Sequence, residues 1–305
     1  MESELVISIR GLRKAYGDFE AVGGIDLDVR RGEILAFLGP NGAGKTTTVE
    51  ILEGYRKRSG GDVLVLGEDP ERAGRAWRER IGIVLQNCRL DPYLTVRESL
   101  ELFAGYYRRP RPVDEVIGLV GLENEAGTRA RKLSGGQQRR LDVGMALVGD
   151  PELLFLDEPT TGFDPSARRQ AWDVIDGLRN LGKTVFLTTH YMDEAQHLAD
   201  QVTVIAGGEI VANGTPEDLG DRGRLPTSIA FQLPGGVSIA DLPPGLDAVA
   251  GAGSAVTVQT KAPALALNEL TGWALARDIE LEGLEVTRPT LEDIYLTLTE
   301  GEGSE

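Results

Sequence analysis

The sequence predicts an α/β fold with a parallel sheet and a phosphate-binding loop, followed by a small α+β domain. One apolar run, Ile34–Leu38, leads directly into the glycine-rich segment Gly39–Thr46. A second apolar run, Leu153–Leu156, ends in the adjacent carboxylates Asp157 and Glu158. Such a run is typical of a buried parallel strand that carries polar side chains to its carboxyl end. The sequence therefore predicts a site for a charged ligand at that edge of the sheet.

The glycine-rich segment matches the pattern G-x-x-x-x-G-K-[ST], and a helix-compatible stretch follows it from Thr46 to Glu53. Glycines let backbone N–H groups point into one concavity, and a helix N-terminus adds partial positive charge, so this loop suits a polyphosphate. Lys45 is predicted to reach the β- and γ-phosphates, and Thr46 to ligate Mg²⁺. The alternative, an ordinary glycine-rich turn, does not explain the strand before it and the helix after it. The predicted nucleotide-binding residues of this segment are Gly39, Pro40, Asn41, Gly42, Ala43, Gly44, Lys45, Thr46 and Thr47.

Two adjacent carboxylates at a strand end indicate a functional role, because they are unlikely to be there for stability. Asp157 is predicted to hold the Mg²⁺ shell, and Glu158 to polarise the attacking water as a general base. The alternative is a pair of solvated acids at a strand-to-turn junction. The loop that follows carries a further acid, Asp164, after a glycine.

The segment Leu133–Gln137 reads Leu-Ser-Gly-Gly-Gln and lies 88 residues after Lys45 and 20 residues before Leu153. With the two motifs above, it resembles the nucleotide-binding subunit of ATP-binding cassette (ABC) transporters over about the first 215 residues. The resemblance implies a P-loop NTPase with a RecA-like core, an antiparallel β-subdomain and a helical insert. It also implies a head-to-tail homodimer, or a pair with a homologous subunit, around two ATP molecules. The alternative for the segment itself is an ordinary flexible turn.

The resemblance assigns further roles one residue at a time. Ser134, at the start of a helix-compatible stretch, fits a donor to the γ-phosphate of the other protomer. Gln86 resembles the glutamine that touches the metal or the attacking water, and His190 the histidine that contacts the γ-phosphate and holds Glu158. Tyr16 resembles the aromatic residue that stacks on adenine. Other positions assigned to the nucleotide are Gly135, Gly136, Gln137 and Asp164, the last in the dimer-contact loop.

Taken alone, three of these residues have common structural explanations. A glutamine at a strand end is usually surface filler, a lone histidine there is usually structural, and an aromatic residue is more often part of a core. The order of the motifs along the chain is what favours the functional assignments of Gln86, His190 and Tyr16.

Net charge and hydropathy limit the classes of binding partner that this chain can have. The formal net charge of −16 argues against broad nucleic-acid binding and against adsorption to anionic lipid. No apolar run approaches the roughly 18 to 20 residues of a bilayer-spanning helix, and Met1–Glu4 lacks a basic signal-peptide region. We therefore expect a cytoplasmic protein, peripheral on the inner face of the cell membrane, that contacts an integral membrane permease. The single cysteine, Cys88, excludes an intramolecular disulfide.

The chain is predicted to divide into a cassette over residues 1–220, with a helical insert over about 88–145, and a linker with an accessory domain over 221–305. The last 80 residues carry 12 acidic and 3 basic side chains. The predicted elements outside the motifs are antiparallel strands within 5–30 and 62–67, helices Thr95–Tyr107, Val113–Val120 and Pro165–Leu181, strand Ala255–Thr260, and helices Pro263–Asp278 and Thr290–Thr299.

The ending Pro289–Leu296 resembles the tail of bacterial drug- and lipid-exporting ABC subunits of the daunorubicin-resistance type. The leading hypothesis is an ATPase subunit that drives the permease to export a drug, lipid or other hydrophobic compound. Two alternatives stay open, an importer ATPase subunit and a soluble ABC ATPase acting on the ribosome or in DNA repair.

Overall fold

The structure, a computed structural model, describes residues 4–86, 90–219, 226–251 and 254–287. The chain divides into two compact units, one up to Pro216 and a C-terminal unit from Glu217. The predicted helix Thr290–Thr299, the tail Pro289–Leu296 and Cys88 lie outside the described residues.

The first unit contains two sheets. Its strands are β1 (Leu5–Tyr16), β2 (Phe19–Arg30), β3 (Ile34–Leu38), β4 (Gly60–Val65), β5 (Ile81–Val84), β6 (Leu153–Asp157), β7 (Thr184–Thr189), β8 (Gln201–Ala206) and β9 (Glu209–Gly214). An antiparallel three-stranded sheet has the order β2-β1-β4, and a six-stranded sheet has the order β5-β6-β7-β3-β8-β9. The six-stranded sheet is parallel except for its edge pair β8 and β9.

The helices of the first unit are α1 (Lys45–Leu52), α2 (Arg75–Arg78), α3 (Val96–Ala104), α4 (Val113–Leu119), α5 (Gly135–Leu147), α6 (Pro165–Asn180) and α7 (Met192–Leu198). Short 3₁₀ helices cover Glu123–Glu125 and Ala130–Lys132. The α/β fold with an antiparallel layer and a helical insert is confirmed. Helix starts follow local chemistry, because Thr95 and Glu98 form a capping box at the start of α3 and Asp164 caps α6 ahead of Pro165.

The central strands of the parallel sheet are completely buried, as their apolar sequences predict. Every residue of β3 and β7 is buried. Phe186 of β7 contacts Phe37 of β3 and Phe155 of β6, with ring centroids 5.4 and 5.8 Å apart, respectively. The antiparallel layer packs into the same hydrophobic cluster. This core holds the carboxyl ends of four parallel strands in a fixed register.

The C-terminal unit is an antiparallel sheet with one helix. Its elements are β10 (Thr227–Gln232), a 3₁₀ helix (Ile239–Asp241), β11 (Ala248–Ala250), β12 (Ala255–Thr260), α8 (Pro263–Leu275) and β13 (Glu282–Thr287). The strand order is β11-β12-β10-β13. Phe231, Val256, Val258, Leu270 and Trp273 are central members of its core. The α+β character predicted for this part of the chain is confirmed.

Candidate active site

The phosphate loop lies between β3 and α1. Two of its glycines lie so close to backbone atoms of other strands that no side chain would fit. A Cβ atom on Gly39 would lie 2.3 Å from the carbonyl oxygen of Ile205. One on Gly44 would lie 2.4 Å from the carbonyl oxygen of Ala21, and the φ angle of Gly44 is +103°. Any larger residue at either position would displace backbone of the neighbouring strands.

Lys45 lies inside the loop. Only 7% of its surface is exposed, and its Nζ donates to the carbonyl oxygens of Gly39 and Pro40 at 2.6 and 3.0 Å. Burial lowers the pKa of Lys45, and the nearby charges of Glu158 and Asp157 oppose that shift. The lysine and the two acids therefore share one electrostatic environment, as the motifs predicted.

The remaining loop residues differ in exposure. Pro40, Asn41, Gly42 and Thr46 are exposed, Thr47 is half-buried, and Ala43 is buried. Gly44 is the N-cap residue of α1, and within the described part of the chain no side-chain cap is found there. The N–H groups of that turn are thus not occupied by a capping side chain, which suits an anionic ligand.

The two acids lie where β6 ends, between β5 and β7. Asp157 pairs in register with Thr188 of β7, and its Oδ1 accepts a hydrogen bond of 2.5 Å from the Thr188 hydroxyl. The backbone N–H of Glu158 donates to both the carbonyl and the hydroxyl oxygen of Thr188 at 3.1 Å. Thr188 therefore fixes both acids, a role that the sequence analysis missed.

Glu158 adopts a left-handed backbone conformation with φ of 45°. For a residue other than glycine this conformation costs about 1–2 kcal/mol. Strain of this kind persists where the surrounding structure determines it, and it is common at functional sites.

Three side chains surround the Glu158 carboxylate. Its Oε2 accepts from Gln86 Nε2 at 2.9 Å and from the Thr161 hydroxyl at 3.0 Å. Its Oε1 lies 3.3 Å from His190 Nδ1. The structure thus brings together Gln86, Glu158 and His190, which the sequence places 72 and 32 residues apart. Thr161 was not predicted, and its only sequence signal is its place in the loop after the acids.

The Leu-Ser-Gly-Gly-Gln segment caps α5. Ser134 Oγ accepts from the Gln137 N–H at 3.3 Å, and Gln137 Oε1 accepts from the Ser134 N–H at 2.9 Å. Gln137 Nε2 also donates to Glu125 Oε1 at 3.0 Å. The exposed Gly135 and half-buried Gly136 form the first turn of the helix. The described hydrogen bonds of Ser134 and Gln137 thus stay near the start of α5, away from the phosphate loop and Glu158.

Asp164 and Tyr16 also lie apart from the Glu158 cluster. Asp164 Oδ1 accepts from the N–H groups of Ser166 and Ala167 at 2.9 and 3.0 Å, so its carboxylate caps α6. Tyr16 ends β1 and is 41% exposed, with Lys14 Nζ 4.9 Å and the Arg56 guanidinium 5.4 Å from its ring centroid. The ring is accessible beside two cations.

A second feature of the first unit is a cavity of 490 Å³ away from the motif residues. Its lining comes from the end of α1, from α2, β5, α3 and α5, and includes Glu53, Phe103, Tyr107, Asp142 and Met145. Burial raises the pKa of Glu53 to about 8, with smaller contributions from Asp157 and Glu50. The cavity is therefore partly apolar, with a neutral carboxyl group in its wall at pH 7.

Two family models match the chain, one within each compact unit. Residues 22–161 match the ABC transporter family, and residues 227–290 match the C-terminal domain described as ABC transporter domain-containing protein-like. None of the helices in the described residues has the length and apolar character to cross a membrane.

Similar proteins cover most of the chain. The Nod factor export ATP-binding protein I of Cupriavidus pinatubonensis is 46% identical over 222 residues, which is 71% of this chain and 68% of that protein. A daunorubicin resistance ATP-binding protein of Streptomyces coeruleorubidus is 39% identical over 316 aligned positions, which cover 97% and 96% of the two chains.

Solved structures agree with the fold. cbiO1 of Clostridium perfringens, part of an ABC transporter complex, is 29% identical with a TM-score of 0.66, over 70% of this chain and 90% of that chain. A dimeric ATP-binding cassette bound to ADP and Pi in a post-hydrolysis state is 26% identical with a TM-score of 0.60, over 68% and 98%. With the phosphate loop, the paired acids and these likenesses together, the chain belongs to the ABC transporter family, as an ATP-binding, ATPase subunit.

Proposed function

We propose that this subunit hydrolyses MgATP at the carboxyl edge of its parallel sheet and drives a separate export permease. The observation that carries the proposal is the Glu158 carboxylate, held by Gln86, Thr161 and His190 next to a buried lysine. The proposed cassette spans residues 1–220, and residues 221–305 form its linker and accessory domain.

In this proposal the loop Gly39–Thr47 wraps the phosphates with its N–H groups, and Lys45 exchanges its contacts with loop carbonyls for the β- and γ-phosphates. Tyr16 stacks on the adenine ring. The charge of Lys45 then meets phosphate oxygens in a region of low dielectric, where the interaction is strong.

Oxygen donors suited to Mg²⁺ lie at the same edge. The Thr46 hydroxyl is exposed at the start of α1, and Asp157 and Gln86 end neighbouring strands. Hard oxygen ligands are those that Mg²⁺ prefers, so these three residues fit the ion. When bound, the ion would neutralise charge on the phosphates.

Glu158 would act on the attacking water. The water oxygen forms a bond to the γ-phosphorus, the bond from that phosphorus to the β,γ-bridging oxygen breaks, and the water proton passes to the Glu158 carboxylate. Gln86 and Thr161 donate to Oε2, so they orient the carboxylate. His190, beside Oε1, would contact the γ-phosphate and hold Glu158 in place.

A second protomer would complete the site. Ser134, Gly135, Gly136 and Gln137 begin α5 with N–H groups that can face the γ-phosphate of the partner's ATP, and the loop ending in Asp164 would contact the other subunit. The likeness to a dimeric cassette bound to ADP and Pi supports this arrangement.

The permease would dock over the 490 Å³ cavity. Tyr55 lines the cavity and is largely exposed, as is Phe103 in part, and exposed apolar side chains of this kind mark protein contacts. Two relatives are named for Nod factor export and for daunorubicin resistance. We therefore propose export of a drug, lipid or other hydrophobic compound by a subunit peripheral to the cytoplasmic face of the membrane.

The test uses Glu158→Gln, which keeps the side-chain shape and removes the base. We expect unchanged ATP affinity, MgATP turnover lowered by about 10²–10⁴-fold, and an ATP-dependent dimer seen by light scattering. Wild-type turnover in the variant, or a monomer at saturating MgATP, would contradict the site assignment.

The same variant identifies the partner. Tagged Glu158→Gln, isolated from solubilised membranes with MgATP, is expected to bring a polytopic membrane protein with it. Recovery with ribosomal or DNA-repair proteins from the soluble fraction would overturn the transporter part of the proposal. Lys45→Ala, which should bind ATP far more weakly, is the control for nucleotide-dependent recovery.

A further inference from the structure

The Arg139 guanidinium links α5 to the ends of two strands of the parallel sheet. Arg139 is only 8% exposed, and its Nε donates to the Pro159 carbonyl at 3.1 Å and its Nη2 to the Asp157 carbonyl at 2.7 Å. Its Nη1 donates to the carbonyl of Leu85. These carbonyls flank Glu158 on both sides and immediately precede Gln86.

This arrangement fixes the backbone that carries the proposed base. Thr188 holds the Glu158 N–H on one side, and Arg139 holds the carbonyls of residues 157 and 159 on the other. Hydrogen bonds from a charged donor contribute about 1.5–3 kcal/mol each. That is enough to hold Glu158 in its left-handed conformation, which costs less than two such bonds supply.

Arg139 also lies close to a residue of α5 that lines the cavity. Asp142 lies one turn further along α5, with its Oδ2 3.9 Å from Arg139 Nη1, and it lines the 490 Å³ cavity. Met145, a further turn along the same helix, lines the same cavity. A displacement of α5, whether at its exposed N-terminal end or at the cavity, would therefore move the guanidinium that holds the Gln86 and Glu158 segments.

We propose that Arg139 is a positioning residue that couples the placement of α5 to the Gln86–Glu158 hydrogen bond, so that events at α5 change the rate of hydrolysis and not the affinity for nucleotide. This inference rests on the proposed function, since it concerns the same reaction. Arg139 donates to backbone carbonyls beside the proposed base, so it would act through Gln86 and Glu158.

The neighbouring Arg140 supplies a matched control. Its Nη1 also donates to two backbone carbonyls, those of Gly121 at 2.7 Å and Val120 at 3.2 Å. Those carbonyls lie in the helical insert after α4 and are remote in sequence from Gln86 and Glu158. The same substitution at residue 140 thus removes a similar anchor from the same helix without touching the site.

The experiment compares Arg139→Lys with Arg140→Lys in the full chain, by measuring kcat and KM for MgATP and the affinity for ADP. A lysine cannot hold three divergent carbonyls, because it lacks the planar fork of arginine. A misplacement of about 1 Å can cost about 100-fold in rate, so we expect kcat to fall by about that factor in Arg139→Lys with KM and ADP affinity unchanged. Arg140→Lys should keep the wild-type kcat.

A second variant covers poor folding of the first. In Arg139→Ala, guanidinium chloride at sub-denaturing concentration should restore part of kcat by occupying the vacated position, whereas Glu158→Gln should not respond. Absence of rescue in an Arg139→Ala protein that binds ADP normally would overturn the inference.

Other results are also decisive. A kcat in Arg139→Lys equal to that of Arg140→Lys, or parallel losses of kcat and ADP affinity, would overturn the positioning role and leave the proposed function intact. A wild-type protein with no more MgATP turnover than Glu158→Gln would instead refute the proposed function, and this inference with it.

Discussion

The first unit buries several charged side chains, whereas the C-terminal unit is built from ordinary apolar packing. Lys45 is almost completely buried beside Asp157 and Glu158. In the C-terminal unit, every charged side chain among the described residues 226–251 and 254–287 is exposed. The contrast shows two kinds of constraint, since chemistry dictates single residues in one region and packing dictates only residue classes in the other.

The largest expected effect is on nucleotide binding, and it follows from removing a lysine from each unit. Lys45→Ala should weaken MgATP binding by about 1,000-fold, or about 4 kcal/mol, because it removes a buried cation from the proposed phosphate site. Lys261→Ala, which removes an exposed lysine from the C-terminal unit, should change nothing. Isothermal titration calorimetry measures both. Equal affinities in the two variants would abolish the contrast.

A substitution in the core of the C-terminal unit should lower stability and leave turnover unchanged. Phe231 is 2% exposed in the core of the C-terminal unit, so Phe231→Ala should lower the free energy of unfolding of that unit by about 3 kcal/mol. Hydrogen exchange over residues 227–287 reports this loss, and MgATP turnover should stay at its wild-type value. The control Val249→Ala, at a 63% exposed position, should stay within about 0.5 kcal/mol. A fall in turnover with normal exchange would assign catalytic importance to the C-terminal core.

The smallest expected effect is a pH dependence of stability that comes from the buried acid Glu53. Its pKa of about 8 in the folded chain exceeds the ordinary value of 4.5, so the folded chain keeps a proton that the unfolded chain loses in this range. The free energy of unfolding should therefore fall as pH rises from 4.5 to about 8. Burial also raises the pKa of Glu33 and of Glu194, so Glu53→Gln should remove only the Glu53 share of that dependence. It should stabilise the protein by about 2 kcal/mol above pH 8.

Urea denaturation at pH 6, 7 and 8.5 tests this prediction, with exposed Glu101→Gln as the control. A wild-type protein whose stability rises over this range would show that Glu53 is ionised in the fold. The C-terminal unit, which has no buried acid among its described residues, should not contribute to the slope.

Sequence patterns predicted the first unit well because its local signals are strong. The apolar run Leu153–Leu156 is buried within β6, and the helix predicted over Pro165–Leu181 is α6 (Pro165–Asn180). Boundaries differed by small amounts, as for α1, predicted over Thr46–Glu53 and found over Lys45–Leu52. End residues depend on capping geometry that the pattern does not contain.

The C-terminal unit was harder to predict in detail. Strand Ala255–Thr260 and the helix from Pro263 were predicted, but β10, β11 and β13 were not. β11 has three residues, and β13 reads Glu-Gly-Leu-Glu-Val-Thr with all six residues exposed. Such strands exist because of pairing with distant β10 and β12, which a local pattern cannot show.

The site divides in the same way. The family resemblance predicted that His190 holds Glu158, and the two side chains lie 3.3 Å apart. Thr188 and Arg139 were missed, because their roles arise from strand register and from a helix that crosses two strand ends. Neither feature leaves a local pattern in the sequence.

The backbone at Glu158 has a consequence for selection and design. At φ of 45°, glycine or asparagine would have a lower conformational energy than glutamate. A search that rewards folding stability alone would therefore tend to replace this residue, and a library ranked by thermal tolerance should lose the proposed base at position 158. Retaining glutamate there requires a screen for turnover, which makes the identity of residue 158 a record of what the protein has been selected to do.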